Sequence, residues 1–234
     1  MNKTITLIAV ITISATMMTS CLDESDALYS ETTMGNIESG KFVTDAGLTY
    51  TFTHQNCDGR IDTLKRAIVA CDVLEKTSET TYNACLNSFA PVMVRAPRRM
   101  SAYSDEVLGT DAINLAQGWF SGGYLNAFYY ISAFSGSSTV HTIDLAFNDV
   151  RSSKSDTLFF ELRHNGYGEV FDNVLYGDAW VIASGYASFP IDQLIPSGKS
   201  SAPVSISWSW YRQTGDAYIT EREPKTEVTI YSRD

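Results

Sequence analysis

Residues 204–210 read Val-Ser-Ile-Ser-Trp-Ser-Trp and alternate strictly between apolar and polar side chains. This period of two is typical of a β-strand with one buried face and one face in solvent. Residues 157–164, Thr-Leu-Phe-Phe-Glu-Leu-Arg-His, and residues 141–147 have a similar pattern. Several short strands at such spacing predict an all-β fold, an antiparallel β-sandwich or a barrel.

Strand-like segments also occupy the first half of the chain, around residues 48–54, 67–75 and 81–89. A polar break at residues 96–101 separates them from the second series. We therefore predict a small β-domain over residues 36–100 and a β-sandwich over residues 101–234. No long stretch has the helical period, so little helix is expected.

The N-terminus has the order of a secretory signal, with Lys3 before an apolar run at residues 5–13. The run is too short to span a bilayer, which needs about 20 apolar residues. Residues 18–21, Met-Thr-Ser-Cys, resemble the bacterial lipobox, in which the peptide is cut before a cysteine that carries lipid. We predict a lipoprotein signal peptide over residues 1–20 and lipidation of Cys21. An ordinary signal that ends at a cysteine by chance is the alternative.

An acidic run, Leu-Asp-Glu-Ser-Asp, follows at residues 22–26. It resembles the surface-export signal of Bacteroidetes lipoproteins, although a solvated tether gives the same pattern. We predict a tether over residues 21–35 and a protein that is lipid-anchored to the outer membrane and exposed at the cell surface. No later segment is apolar enough to span a membrane.

The composition limits the class of partner. The net charge is −10 and the pI is about 4.7, so the chain repels phosphate backbones and nucleic acid is not an expected partner. Hydrophobic residues make up 44% of the chain, enough to bury a core.

Lipidation of Cys21 leaves three cysteines, at positions 57, 71 and 85. If residues 67–75 and 81–89 form a hairpin centred on Ser78, then Cys71 lies opposite Cys85, near disulfide distance. A one-residue slip would separate them, and two buried free thiols fit the same pattern. No Cys-x-x-Cys or histidine pair occurs, so neither a metal nor a cofactor is predicted.

No catalytic motif accompanies the three histidines, at positions 54, 141 and 164. We favour half-buried strand residues over a general base or a metal ligand. Glu161 and Glu169 could form a glycosidase pair, but one strand does not set the spacing such a pair requires. Trp208 and Trp210 could stack on sugar rings, although a core stripe is more usual.

Two segments carry a resemblance to a known family. Leu108-Gly109-Thr110-Asp111-Ala112-Ile113, which runs into residues 119–126, and Glu161-Leu162-Arg163-His164-Asn165-Gly166-Tyr167-Gly168-Glu169 resemble the NigD-like lipoproteins of the Bacteroidetes. Ala112 stands where this resemblance leads us to expect proline. The resemblance implies an OB-like N-terminal β-barrel before the sandwich. It also implies a role in bacteriocin immunity, which has been suggested for the family.

These observations favour a non-enzymatic envelope lipoprotein that binds a protein or peptide partner. A glycan-binding accessory lipoprotein is the alternative, and a glycan hydrolase is a third hypothesis.

Overall fold

The computed structural model describes residues 27–169, 180–214 and 217–232. From residue 211 onward it describes the backbone only. The signal peptide, Cys21 and the acidic run at residues 22–26 lie outside the described residues. In the described ranges the chain forms thirteen strands and two short helices, α1 (Asp105–Leu108) and α2 (Asp149–Ser152). The strands are β1 (Tyr29–Glu38), β2 (Lys41–Thr44), β3 (Thr49–Gln55), β4 (Arg66–Lys76), β5 (Thr81–Val94), β6 (Arg98–Arg99), β7 (Ile113–Ser121), β8 (Tyr124–Phe134), β9 (Thr142–Phe147), β10 (Leu158–Asn165), β11 (Trp180–Pro190), β12 (Ser201–Thr214) and β13 (Ala217–Ser232). Within these residues, no helix has the length and apolar character needed to cross a membrane.

The first five strands pair in a ring. Strand β1 pairs with β2 and β4, β2 pairs with β3, and β5 pairs with β4 and, in parallel, with β3. Inside the ring lies an apolar core of strand residues that alternate with outward-facing polar ones. Its buried members include Phe42, Tyr50, Val69, Val73 and Leu86. The family resemblance implies an OB-like barrel for this part of the chain, and that assignment stays a prediction.

Strand β1 begins inside the range predicted as tether. Tyr29 pairs with Val73 of β4, and the amide of Leu28 already donates to the Val73 carbonyl at 2.7 Å. The prediction that residues 29–35 are tether is therefore wrong. The strand can be polar because Ser30 and Thr32 lie on the outside of the ring, while Glu31 accepts a hydrogen bond from the hydroxyl of Tyr50.

The later strands form the sandwich. One layer is β7, β8 and β11, and the other is the five-stranded sheet β13-β12-β10-β9-β6. Between them pack apolar residues from both layers, among them Leu125, Ile131, Leu145, Phe160 and Phe189. The all-β class with a sandwich is confirmed. The sandwich is mixed rather than purely antiparallel, since β10 pairs in parallel with β12 and β6 with β9.

The ring and the sandwich share one continuous sheet. The end of β5 pairs in parallel with β11, with Val92 opposite Tyr186. Beside this pairing, the fully buried Arg66 guanidinium forms a two-pronged ion pair with Asp45, with Nη1–Oδ1 and Nη2–Oδ2 distances of 2.7 and 2.5 Å. Arg66 Nε donates to Ser188 Oγ on β11 at 2.9 Å, so one buried side chain ties the ring to the sandwich.

The β4–β5 hairpin forms as predicted, but its register differs. Cys71 lies opposite Leu86, and Asp72 lies opposite Cys85, because the ladder shifts between Ala70 and Cys71 and again between Val73 and Glu75. Residues directly opposite share a face, so the two thiols point to opposite sides of the hairpin. The prediction that Cys71 faces Cys85 is wrong, and Cys57, Cys71 and Cys85 are all free thiols.

Candidate functional site

The two segments that carry the family resemblance fold against each other. The amide of Asp111 donates to the His164 carbonyl at 3.0 Å, and the amide of Gly166 donates to Asp111 Oδ2 at 2.7 Å. Arg163 Nη1 donates to the Gly109 carbonyl at 3.2 Å. Residues far apart in the chain therefore build one local structure, which we call the signature junction (residues 105–112 and 161–169).

Gly109 makes this close approach sterically feasible. It has φ of +80°, in the left-handed region that favours glycine. A Cβ atom at this position would lie 2.1 Å from the His164 carbonyl oxygen and 2.6 Å from the Cα atom of Asn165. No L side chain fits there unless the two segments move apart.

Two histidines and a glutamate form a chain of contacts at the junction. His164 is 1% exposed, and its Nδ1 lies 2.9 Å from the Ala112 carbonyl oxygen. Its Nε2 lies 2.9 Å from Nδ1 of His141, and Nε2 of His141 lies 3.1 Å from Glu169 Oε2. Glu169 also accepts hydrogen bonds from Ser137 Oγ and from the amide of Phe134.

The positions of the protons in this chain follow from its ends. A carbonyl and a carboxylate only accept, so His164 Nδ1 donates to the Ala112 carbonyl and His141 Nε2 donates to Glu169. Burial lowers the pKa of His164, which favours its neutral form with the hydrogen on Nδ1. Hydrogen bonds from Ser137, Thr139 and His141 lower the pKa of Glu169 to about 2.

This arrangement uses all four imidazole nitrogens. In the described ranges, no serine, threonine or cysteine side chain hydrogen-bonds to either imidazole of the pair, so neither is placed to activate a nucleophile. The described residues also contain no group of three or more His, Cys, Asp or Glu that could hold a metal ion. The histidine pair is a satisfied polar network that holds β9, β10 and the loop after β10 together.

The other candidate residues predicted from the sequence lie apart from this series of contacts. Glu161 forms an ion pair with Arg163 at 2.8 Å, on the face of β10 opposite that of His164. The structure therefore does not bring Glu161 to Glu169 in a glycosidase arrangement. His54 is exposed on β3, and its Nδ1 lies 3.0 Å from Thr53 Oγ1. Sequence reasoning missed the histidine pair because no local pattern joins positions 141 and 164.

The two tryptophans of β12 differ in their surroundings. Trp208 packs against the sandwich core, which is the role that the alternating apolar pattern of the strand predicts. The register of β12 with β13 shifts between Trp208 and Trp210, and Trp210 is half-buried. Because Trp208 packs on the core, the two tryptophans do not form a shared platform for sugar stacking.

An aromatic cluster instead lies on the outer face of β8 and β11. Phe128 stacks on Tyr186 with ring centroids 4.8 Å apart, and Tyr130 meets Phe128 nearly edge-on at 5.1 Å. All three rings are half-buried. The sequence indicates that β8 is apolar on both faces, but it does not show that one of these faces lies outside the sandwich.

Three exposed apolar side chains lie on or beside the signature junction. Tyr167 is 60% exposed and has φ of +53°, which is unusual for a residue with a side chain. Its amide donates to Asn165 Oδ1 at 2.9 Å, and its hydroxyl lies 2.7 Å from Thr142 Oγ1. Val107 and Val140 are exposed on segments that contact this loop. We call Val107, Val140 and Tyr167 the tip.

Comparison with known proteins identifies the second half of the chain. Residues 97–221 match the family model described as the NigD-like C-terminal beta sandwich domain. A NigD-like immunity protein from Bacteroides caccae has a similar structure, with a TM-score of 0.56, 15% identity, and coverage of 86% of this chain and 96% of that one.

Two further solved structures share the fold. A candidate toxin-related protein from Parabacteroides distasonis gives a TM-score of 0.61 at 18% identity, covering 88% of this chain and 95% of its own. A candidate lipoprotein from Bacteroides fragilis has a TM-score of 0.54 and 12% identity, and the match covers 88% of this chain and 98% of that one. No curated protein matches the chain.

Proposed function

The chain belongs to the NigD-like family, and from this premise we propose that it is a lipid-anchored envelope lipoprotein that binds a partner and is not an enzyme. The anchor would be Cys21 at the end of the lipobox-like Met18-Thr19-Ser20-Cys21. The similar Bacteroides fragilis protein is named a candidate lipoprotein, which supports this part of the proposal. The acidic run at residues 22–26 supports an outer-membrane, surface-exposed location.

The observation that carries the binding role is the conformation of Tyr167. A non-glycine residue in the left-handed region costs about 1–3 kcal/mol and persists only where surrounding contacts impose it. Here Asn165 and Thr142 hold the backbone and the hydroxyl, and the ring stays 60% exposed. Exposed aromatic side chains held in place are frequent energetic centres of protein interfaces.

The proposed class of partner rests on the name of a similar protein. The Bacteroides caccae relative is named an immunity protein, so we propose a secreted protein or peptide, such as a bacteriocin, as the partner of the tip. The histidine pair supports a non-catalytic role, since each of its nitrogens already contacts Ala112, Glu169 or the other imidazole.

The anchor is tested with Cys21→Ser in the full chain, expressed in its native type of host. We expect the wild type to incorporate radiolabelled palmitate and to fractionate with the outer membrane, and the variant to do neither. Palmitate incorporation that survives the substitution would contradict an anchor at Cys21.

The binding role is tested with the mature protein, immobilised and exposed to envelope and culture extracts. Tyr167→Ala should lose a specifically captured protein or peptide, whereas Tyr103→Ala, which changes another exposed tyrosine, should retain it. Equal capture by both variants would contradict a role for the tip. Hydrolysis of an envelope glycan by the purified protein would contradict the non-enzymatic proposal.

Glycan binding at the cell surface is a second candidate function. It is favoured by one observation, the aromatic cluster of Phe128, Tyr130 and Tyr186 on the outer face of the sandwich.

A further inference from the structure

We propose that the outer face of β7, β8 and β11 is a binding site for an uncharged oligosaccharide, with Phe128, Tyr130 and Tyr186 at its centre. This inference rests on the second candidate function and specifies where the glycan binds and which chemical class it has.

Strand register places the rings in one row across the sheet. Phe128 lies directly opposite Tyr186 on β11 and opposite Gln117 on β7. Directly opposed strand residues share a face, so the row runs Gln117, Phe128, Tyr186. Tyr130 lies two residues further along β8 and is therefore on the same face.

This face points away from the sandwich core. The alternate residues of β8, Leu125, Ala127 and Ile131, are buried between the two layers. The part of this face around the rings reaches solvent, since Ile182 is 42% exposed and Ser184 is exposed next to Tyr186 on β11. Toward Ser188 the same face is covered by Arg66. In the described part of the chain, the hydroxyls of Tyr130 and Tyr186 form no hydrogen bond within the protein.

The charge of the face decides the class of ligand. Strands β7, β8 and β11 contain no Asp, Glu, Lys or Arg, although charged residues make up 19% of the chain. A charged ligand would find no counter-ion among the side chains of these strands and would lose hydration on binding. A neutral ligand has no such cost.

The chemistry of the face matches a pyranose ring. A sugar has an apolar C–H face and hydroxyl groups that both donate and accept hydrogen bonds. The aromatic rings provide apolar contact area, while the two phenol hydroxyls, the Gln117 amide and the Ser184 hydroxyl can donate and accept. Stacked aromatic rings with free polar groups beside them meet both requirements at once.

The test is isothermal titration calorimetry of the mature protein with four neutral hexasaccharides: cellohexaose, maltohexaose, mannohexaose and xylohexaose. We expect at least one to bind. Tyr186→Ala should raise its Kd about tenfold or more, because a lost stacking contact of about 1.4 kcal/mol has that effect. Tyr130→Phe keeps the ring and removes only the hydroxyl, so we expect a smaller increase in Kd.

Controls separate this site from the tip and from misfolding. Tyr167→Ala should bind the sugar like the wild type, and near-ultraviolet circular dichroism should show that each variant keeps its fold. Hexagalacturonate, an anionic hexasaccharide, should bind more weakly than the neutral ligand. No binding of any neutral hexasaccharide, or an unchanged Kd in Tyr186→Ala, would overturn the inference. The anchor and the tip would be unaffected by that result, because their tests use other residues and other probes.

Discussion

His164 Nε2 lies 2.9 Å from His141 Nδ1, although 22 residues separate the two positions in the chain. His164 belongs to β10 and His141 immediately precedes β9, so the contact depends on the antiparallel pairing of these strands. Glu169 closes the far end of the chain of contacts at 3.1 Å. Protonation of His164 therefore affects the stability of the folded signature junction.

The first prediction is that acid destabilises this protein through the pair. Burial lowers the pKa of His164 below its ordinary value of 6.5, so the unfolded state binds a proton more readily. This contribution to stability is present above pH 6.5 and is lost as the pH falls through the depressed pKa of His164. Glu169, with its ordinary value of 4.5 lowered to about 2, adds a further loss between those values.

Urea unfolding at a series of pH values measures this effect. We expect the free energy of unfolding to fall between about pH 7 and pH 5, and His164→Gln to show a shallower dependence over the same range. A wild type that becomes more stable over this range would contradict the prediction.

The second prediction concerns Gly109. Gly109→Ala should cost more than about 3 kcal/mol of folding stability, because its Cβ would lie 2.1 Å from the His164 carbonyl oxygen and the φ of +80° adds strain. Gly136→Ala is the matched control, with φ of +91° but no atom within 4 Å of its Cβ. It should cost only about 1 kcal/mol. If thermal or urea unfolding showed the same loss of stability in both variants, backbone strain alone would explain the effect at Gly109.

The third prediction concerns the buried ion pair of Arg66 with Asp45. Arg66→Met removes one partner and leaves the Asp45 carboxylate, only 12% exposed, without its counter-ion. We expect a loss of about 3–5 kcal/mol in urea unfolding. Arg60→Met, which breaks the exposed pair with Asp62, should leave the stability almost unchanged, because solvent screens that pair. Adding Asp45→Asn to Arg66→Met should recover part of the loss, and a double variant less stable than the single one would argue against this explanation.

The fourth prediction concerns the thiols. Intact mass of the form that starts at Leu22 should show no disulfide, since Cys71 and Cys85 point to opposite sides of the hairpin. Iodoacetamide should label half-exposed Cys57 first. Burial raises the pKa of Cys71 to about 12, so it should react slowly until the chain unfolds. A native mass lower by two hydrogens would reveal a disulfide and contradict the register described above.

Local patterns predict much of the fold, because strand periodicity is a property of neighbouring residues. The alternation in residues 157–164 and 204–210 predicts β10 and β12, and both form. The lipobox-like residues 18–21 predict the anchor in the same local way, and that prediction awaits the palmitate experiment.

The early start of β1 shows where local patterns fail. Polar residues such as Glu31 and Thr32 read as tether, yet they pair with β4 because a strand ladder is built from backbone groups, which every residue type carries. Nothing in residues 29–35 alone indicates a partner strand near residue 70.

The sequence by itself determined the all-β class, the alternating strands and the two segments typical of the NigD-like family. Only the tertiary structure decided that those segments dock, that His141 meets His164, that Cys71 and Cys85 diverge, and which aromatic face of β8 lies outside. The physical reason is that side-chain alternation is set by each strand's own backbone. Register, bulges and the choice of buried face depend on partners that the chain brings together only when it folds.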